Sequence, residues 1–236
     1  MSFFEPPVPP DRPEPPFEIP EPTPWWSAPA NELGAPVPLR LVLARTEQVA
    51  VAVAGLTAYS TGVLLTLAIR WRGTLRDEDF YAELELFGRR AMQRRLGAEL
   101  PPELLRFGVQ FADGRKATTV GPDAPSRHGL AADREEEPPG PILTPSGGGG
   151  GGGEWDEEYW LWPLPPPGAM TFAIEWPSKG IELSMHEVDA SPIIDASGSS
   201  EVLWPDPGEV AGSYRVSQSL LRPVREEEKT EDEEPR

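Results

Sequence analysis

Two histidines, no cysteine and a large excess of carboxylates define the chemistry open to this chain. His186 lies in the run Met185-His186-Glu187-Val188-Asp189, where an imidazole and two carboxylates are neighbours in sequence. Such a group suggests a metal site or an acid–base pair. A metal needs three or more ligands converging on one point. In a strand, His186 and Glu187 point to opposite faces, so they chelate poorly and His186 is expected to be a surface residue. His128 falls in a stretch rich in Pro, Gly and acids, away from any partner. The absence of cysteine excludes disulfides, thiolate catalysis and cysteine-ligated metals. Ser60, Ser184 and Ser217 have no nucleophile motif around them, and no GxSxG, HExxH or kinase-type signature occurs. Paired acids of a glycosidase leave no short signature, and the many Asp and Glu residues are read as solubilising. No catalytic residue, cofactor or metal site is therefore assigned, and a carboxylate-based hydrolase is the third choice of function.

The run Ser146 to Glu154 holds seven consecutive glycines, Gly147 to Gly153. A phosphate loop needs glycines followed by Lys-Ser or Lys-Thr at a strand-to-helix junction. Here Glu154, Asp156, Glu157 and Glu158 follow, all of which repel phosphate, and the next element reads as a strand. A domain linker is also excluded, because Pro-Ile-Leu-Thr before the run is too short to close a domain. The run is expected to be slack in a β connection, since a longer loop costs only slowly more closure entropy.

Two groups of side chains remain as binding candidates. Arg89, Arg90, Arg94 and Arg95 cluster in Arg-Arg-Ala-Met-Gln-Arg-Arg, and on a helix Arg90 and Arg94 share a face. That face suits a phosphate or an acidic partner, the chain's own tails included, and a solvated or self-paired face is favoured over nucleic acid. In Tyr-Trp-Leu-Trp-Pro-Leu, Trp160 and Trp162 fall on one strand face, with Tyr159 and Leu161 on the other. One face belongs to a core. The other is either an aromatic strip that stacks a sugar or takes a peptide, or a surface covered by the proline-rich arms; the covered surface is favoured.

The elements that must position these residues are short. The chain has 236 residues, 38% of them apolar, with 54 Pro and Gly together (31 and 23). That composition predicts one folded domain with disordered flanks. The net charge of −18 argues against nucleic acid and against anionic lipid. Residues 1–32 read as a proline-rich acidic arm in which Trp25 and Trp26 are expected to dock on their own domain, and residues 206–236 as an acidic tail. No secretory signal is legible at the start.

Gln48 to Ile69 is free of charge for long enough to span a bilayer. It alternates as Val-Ala-Val-Ala-Val-Ala, then turns through Thr-Ala-Tyr-Ser-Thr-Gly, so two strands are predicted rather than a membrane helix. Further strands are predicted over residues 39–44, 104–111, 115–120, 141–144, 158–164, 170–176 and 181–188. Asp113-Gly114 should form a hairpin turn. A loosely helical insertion is expected over 74–97, and a short helix at Ser191-Pro192 stopped by Gly198. Loops are expected at 74–100, 121–140 and 145–155.

The stretches LVLART, VAGLTAYSTG, LLRFGVQFADGRKAT, EWDEEYWLWPLPPPG and EWPSKGIELSMHEVDA resemble a family of uncharacterised proteins from high-GC Gram-positive (actinobacterial) bacteria. The resemblance spans about residues 33–205. It implies a soluble bacterial domain and carries over no functional residue.

These readings combine into a mainly β chain: an antiparallel, immunoglobulin-like β-sandwich over residues 33–205, with one short helical insertion and disordered termini. The expected function is a non-catalytic, cytoplasmic interaction module that binds another protein. Its candidate surface is Trp160, Trp162, Arg90 and Arg94, and neither nucleic acid nor membrane is expected as a partner. The alternative is a carbohydrate- or small-ligand-binding domain using the tryptophans.

Overall fold

The computed structural model describes residues 25–73, 100–120, 137–138 and 140–205. The expected helical insertion, the arginine cluster with Arg90 and Arg94, His128, the outer arms and nearly all of the loops at 74–100 and 121–140 lie outside them. Twelve strands, one α-helix and a one-turn 3-10 helix (Pro177–Lys179) are described: β1 (Glu32–Leu33), β2 (Ala35–Val37), β3 (Leu41–Arg45), β4 (Val49–Ala58), β5 (Val63–Trp71), β6 (Arg106–Gln110), β7 (Lys116–Thr118), β8 (Ile142–Gly151), β9 (Glu154–Trp162), β10 (Ala169–Trp176), β11 (Ile181–Asp189), α1 (Ser191–Ser197) and β12 (Glu201–Val202).

Every pairing is antiparallel. A six-stranded sheet runs β2-β4-β5-β9-β8, with β3 also paired to β4, and a four-stranded sheet runs β11-β10-β6-β7. A short ladder of β1 with β12 ties the two ends of the domain together.

Alternation writes the central hairpin. Val49, Val51 and Val53 of β4 face the core, and the alanines between them face out. A bulge between Val53 and Gly55 then shifts the phase by one residue, so that Leu56 and Ala58 return to the core side. Val63, Leu65, Leu67 and Ile69 of β5 answer them across the ladder. The Tyr59 N–H donates to the Gly62 carbonyl (2.9 Å) and closes the turn. The uncharged stretch is thus two strands, and no helix among the described residues is long and apolar enough to cross a membrane. Asp113-Gly114 turns between β6 and β7 as expected, with Gly114 at φ +85°.

Both sheets contribute to one hydrophobic cluster. Phe107 of the four-stranded sheet lies 5.8 Å from the ring of Tyr159 in the other and stacks on Phe172 at 6.2 Å. Trp71 and Trp176 meet edge to face at 6.4 Å, again one from each sheet. Burying a large apolar side chain contributes about 1.5–3 kcal/mol, so these aromatic contacts help fasten the sheets together.

The glycine run corrects the expectation of a loop at 145–155. Gly147 to Gly151 belong to β8 and pair with Glu158 to Glu154 of β9, and only Gly152 and Gly153 turn, both at positive φ. Ladder hydrogen bonds come from the main chain, so a strand needs no side chains once a neighbour holds it. The neighbour here is β9, itself held by β5. The Trp71 N–H pins the turn by donating to the Gly153 carbonyl (2.8 Å).

The run is not uniform in what it demands. A Cβ on Gly150 would stand 2.1 Å from the Glu154 carbonyl oxygen, whereas one on Gly149 or Gly151 meets nothing within 4 Å. Gly149→Ala and Gly151→Ala are therefore expected to stabilise by about 0.4–1 kcal/mol each, by narrowing the unfolded ensemble. Gly150→Ala is expected to destabilise. Urea midpoints of the three variants check this; a destabilised Gly149→Ala would mean that the segment is not the strand described.

Candidate functional site

Strand β8 ends the six-stranded sheet, and no described strand pairs with its far side. Gly148, Gly149, Gly150 and Gly151 are exposed. The main-chain groups on this edge carry no side chain to shield them, the reverse of how sheet edges are commonly protected.

The next strand inward supplies charge. Glu154, Asp156 and Glu158 of β9 pair across to Arg70, Ala68 and Thr66 of β5, and so occupy the outward face of the sheet. On their other side they face Gly151, Gly149 and Gly147. A row of carboxylates therefore lies beside a strand without side chains. Arg70 partly neutralises one end: its guanidinium is 2.7 Å from Asp156 and 3.8 Å from Glu154, and it also donates to the Ile69 and Trp155 carbonyls. The bond to Asp156 raises the Arg70 pKa against an opposing effect of burial. Glu158, at the other end, is half-buried. On the inward face Glu157 accepts a hydrogen bond from Trp155 Nε1 at 2.9 Å.

The tryptophans expected to form a surface divide. Trp160 is fully buried, with its ring 5.6 Å from Tyr59, so it is corrected from a surface candidate to a packing residue. The outward face of β9 carries a second small cluster there, under the chain's own cover. Trp162 is half-buried and meets Trp25 edge to face at 6.3 Å, so the segment before β1 docks on the domain. No open aromatic strip for a sugar is left at this pair.

His186 is also corrected. Its strand alternates so that His186 faces Phe172 on the core side of β10, and the ring is half-buried. Nε2 lies 2.7 Å from the Leu43 carbonyl and 2.9 Å from Ser184 Oγ. A carbonyl only accepts, so Nε2 carries the proton and donates. The histidine fastens the β11 edge of one sheet to β3 of the other. Among the described residues no three His, Asp or Glu side chains are grouped to hold a metal ion.

The short helix forms at Ser191 as expected. Ser191 is its first residue, and Asp189 accepts from its backbone N–H (2.9 Å) and its hydroxyl (2.8 Å). The backbone bond, aided by the hydroxyl, lowers the Asp189 pKa below the usual carboxylate value. A depressed folded pKa means that this contribution to stability is complete above the unfolded pKa and is lost as pH falls through the folded one. Asp189→Asn is expected to lower the melting temperature near neutral pH and to leave it nearly unchanged in strong acid. Melting curves of both proteins across the acid range test the sign; a gap that widens on acidification would refute it.

Exposed apolar side chains that the sequence did not single out gather near the domain's two ends: Leu33 on β1, Val202 on β12, and Leu203 and Trp204 just beyond. Tryptophan in a short terminal stretch gave no periodic signal from which to predict this. Compared with protein-family models, curated proteins and solved structures, the chain matches none.

Proposed function

We propose that the domain is an immunoglobulin-like β-sandwich acting as a non-catalytic interaction module, and that its partner is a protein offering an extended, basic segment to the edge of β8. Three features support the sandwich: the shared core, the crossings from one sheet to the other between β5 and β6, β7 and β8, and β9 and β10, and the contact of β3 with β11. The observation that carries the function is the exposed glycine edge beside Glu154, Asp156 and Glu158. A strand added outside β8 would lie about 4.8 Å from it, and the β9 carboxylates one spacing further in. The glycines place nothing between, so the long stems of Lys and Arg reach the carboxylates across them. Main-chain hydrogen bonds give such addition its affinity, and alternate side chains its selectivity. The chain's net charge of −18 draws in the same partner at long range.

The test uses a fluorescent peptide of alternating lysine and valine, read by polarisation with the full chain. Saturable binding is expected. A lysine–proline peptide of equal charge, which lacks half the amide donors, should bind at least about tenfold more weakly, a difference of roughly 1.4 kcal/mol. Gly149→Arg, which sets a guanidinium beside Asp156 in open space, should weaken the lysine–valine peptide similarly. Equal binding of both peptides, or no effect of Gly149→Arg, would reduce the interaction to charge alone and overturn the edge-addition reading.

A further inference from the structure

At the opposite side of the same sheet, the turn between β3 and β4 and the end of β5 border an open cavity of about 420 Å³, lined by Arg45, Thr46, Glu47, Gln48, Val49, Ala50, Arg70, Trp71 and Arg72. Three of the chain's 21 basic residues thus face one cavity in a protein of strongly negative charge. Their convergence follows from the register. Arg45 and Arg70 both pair with Ala50, one from each side, so two guanidinium stems rise from one sheet face across a single methyl group. Arg72 is brought in by its backbone N–H, which donates to the Gln48 carbonyl at 2.7 Å.

The charges are not all spent within the fold. Arg70 is committed to Asp156 and Glu154, but Arg45 and Arg72 are exposed and form no ion pair among the described residues. Among the described residues, the one carboxylate lining the cavity is the exposed Glu47. The turn itself is rigid: Thr46 Oγ accepts from the N–H groups of Gln48 and Val49, both at 3.2 Å, so Arg45 leaves a fixed backbone. Guanidinium groups are the side chains best matched to tetrahedral oxyanions, because each offers paired donors in one plane. The volume exceeds that of a bare phosphate and falls in the range of small-molecule sites. Trp71 lines the cavity from the same strand as Arg70, but it alternates to the core side, where its ring meets Trp176.

We propose that this cavity is a binding site for a phosphorylated small molecule, with the phosphate held by Arg45 and Arg72. Arg70, already bound to Asp156 and Glu154, is not one of the groups that hold it. Arg70 is the one lining residue shared with the carboxylates beside the β8 edge, and Arg45 and Arg72 have no part in that edge.

The experiment titrates the full chain with inorganic phosphate and with phenyl phosphate at constant ionic strength, following backbone amide shifts by NMR and indole fluorescence. Saturable shifts of the Thr46–Val49 and Arg72 amides are expected with both probes. The two probes should compete for the same amides, with little change in fluorescence, because the Trp71 ring is turned to Trp176. The double variant R45Q/R72Q should weaken phenyl phosphate at least about tenfold, as expected for loss of charge-assisted hydrogen bonds. R115Q removes a guanidinium that is paired with Asp113 in the β6–β7 turn and should bind as the parent does. All three altered arginines are exposed, and unchanged melting temperatures would establish that the variants fold. Shifts that never saturate, or equal affinity in R45Q/R72Q and the parent, would overturn the site. Binding of inorganic phosphate without phenyl phosphate would overturn the organic ligand.

Discussion

Trp176→Ala is expected to destabilise the domain by about 3–5 kcal/mol, the cost of emptying a large aromatic site in a packed core. Trp176 is fully buried at the end of β10 and meets Trp71 of the other sheet edge to face. Its Nε1–H donates to the Glu103 carbonyl at 2.9 Å, holding the approach to β6, and the Lys179 ammonium stands 5.6 Å over its ring. One truncation therefore removes apolar burial, a contact between sheets and a buried hydrogen bond. A fall in melting temperature of roughly 10 °C or more follows from the usual entropy of unfolding for a domain of this size. Trp176→Phe separates the causes: it keeps most of the ring contact and loses only the donor, so a loss of about 1–3 kcal/mol is expected. Urea unfolding of both variants measures the two terms. A loss below about 1 kcal/mol for Trp176→Ala would mean that the sheets are not fastened through this residue.

Trp160→Ala is expected to cost nearly as much, about 3–5 kcal/mol, while Trp162→Ala costs about 1 kcal/mol. The two residues are neighbours on one face of β9, yet the first is fully buried against Tyr59 and the second is half-buried against Trp25. The contrast is the useful measurement. Equal, small losses would mean an open aromatic face, and would restore the sugar-stacking surface that the structure argues against.

That contrast also marks how far the sequence could be read. Alternation located β4, β5 and β10, and the inward residues Val51, Leu65, Phe172 and Ile174 are core residues as their pattern implies. Such strands have one apolar and one polar or small face, and the period of two betrays them. The same logic put Trp160 and Trp162 on one face, correctly, and the expected docking of the arm tryptophan is met by Trp25 on Trp162. The cover of Trp160 came from Tyr59 at a turn, a contact with no local signature.

The start of β8 lies in the strand expected over 141–144, but its glycine half was missed for a related reason. Glycine has no side chain to alternate and a poor intrinsic preference for strands, and its pairing is decided by β9 instead. The bulge in β4 was invisible because Ala54 and Gly55 break the pattern without announcing whether it resumes. Of the site, the carboxylates after the glycines were legible as acids that repel phosphate, but not as a row beside an open edge. The arginine cavity was not legible at all. Arg45 is separated from Arg70 and Arg72 by a whole hairpin in sequence, and only the β3-β4-β5 register brings them together.

A strand written in one residue type has no alignment of its own to defend. Elsewhere in this sheet, a slip of one residue would carry every core side chain to the solvent face. From Gly147 to Gly151 there is nothing to carry. Repetitive glycine codons are prone to gain or lose a unit when they are copied. In this strand such a change would only move the point at which the chain turns, with Ile142 and Leu143 still anchored opposite Trp162 and Leu161. The glycine tract is thus a place where the gene can change length by single codons while the protein keeps its fold.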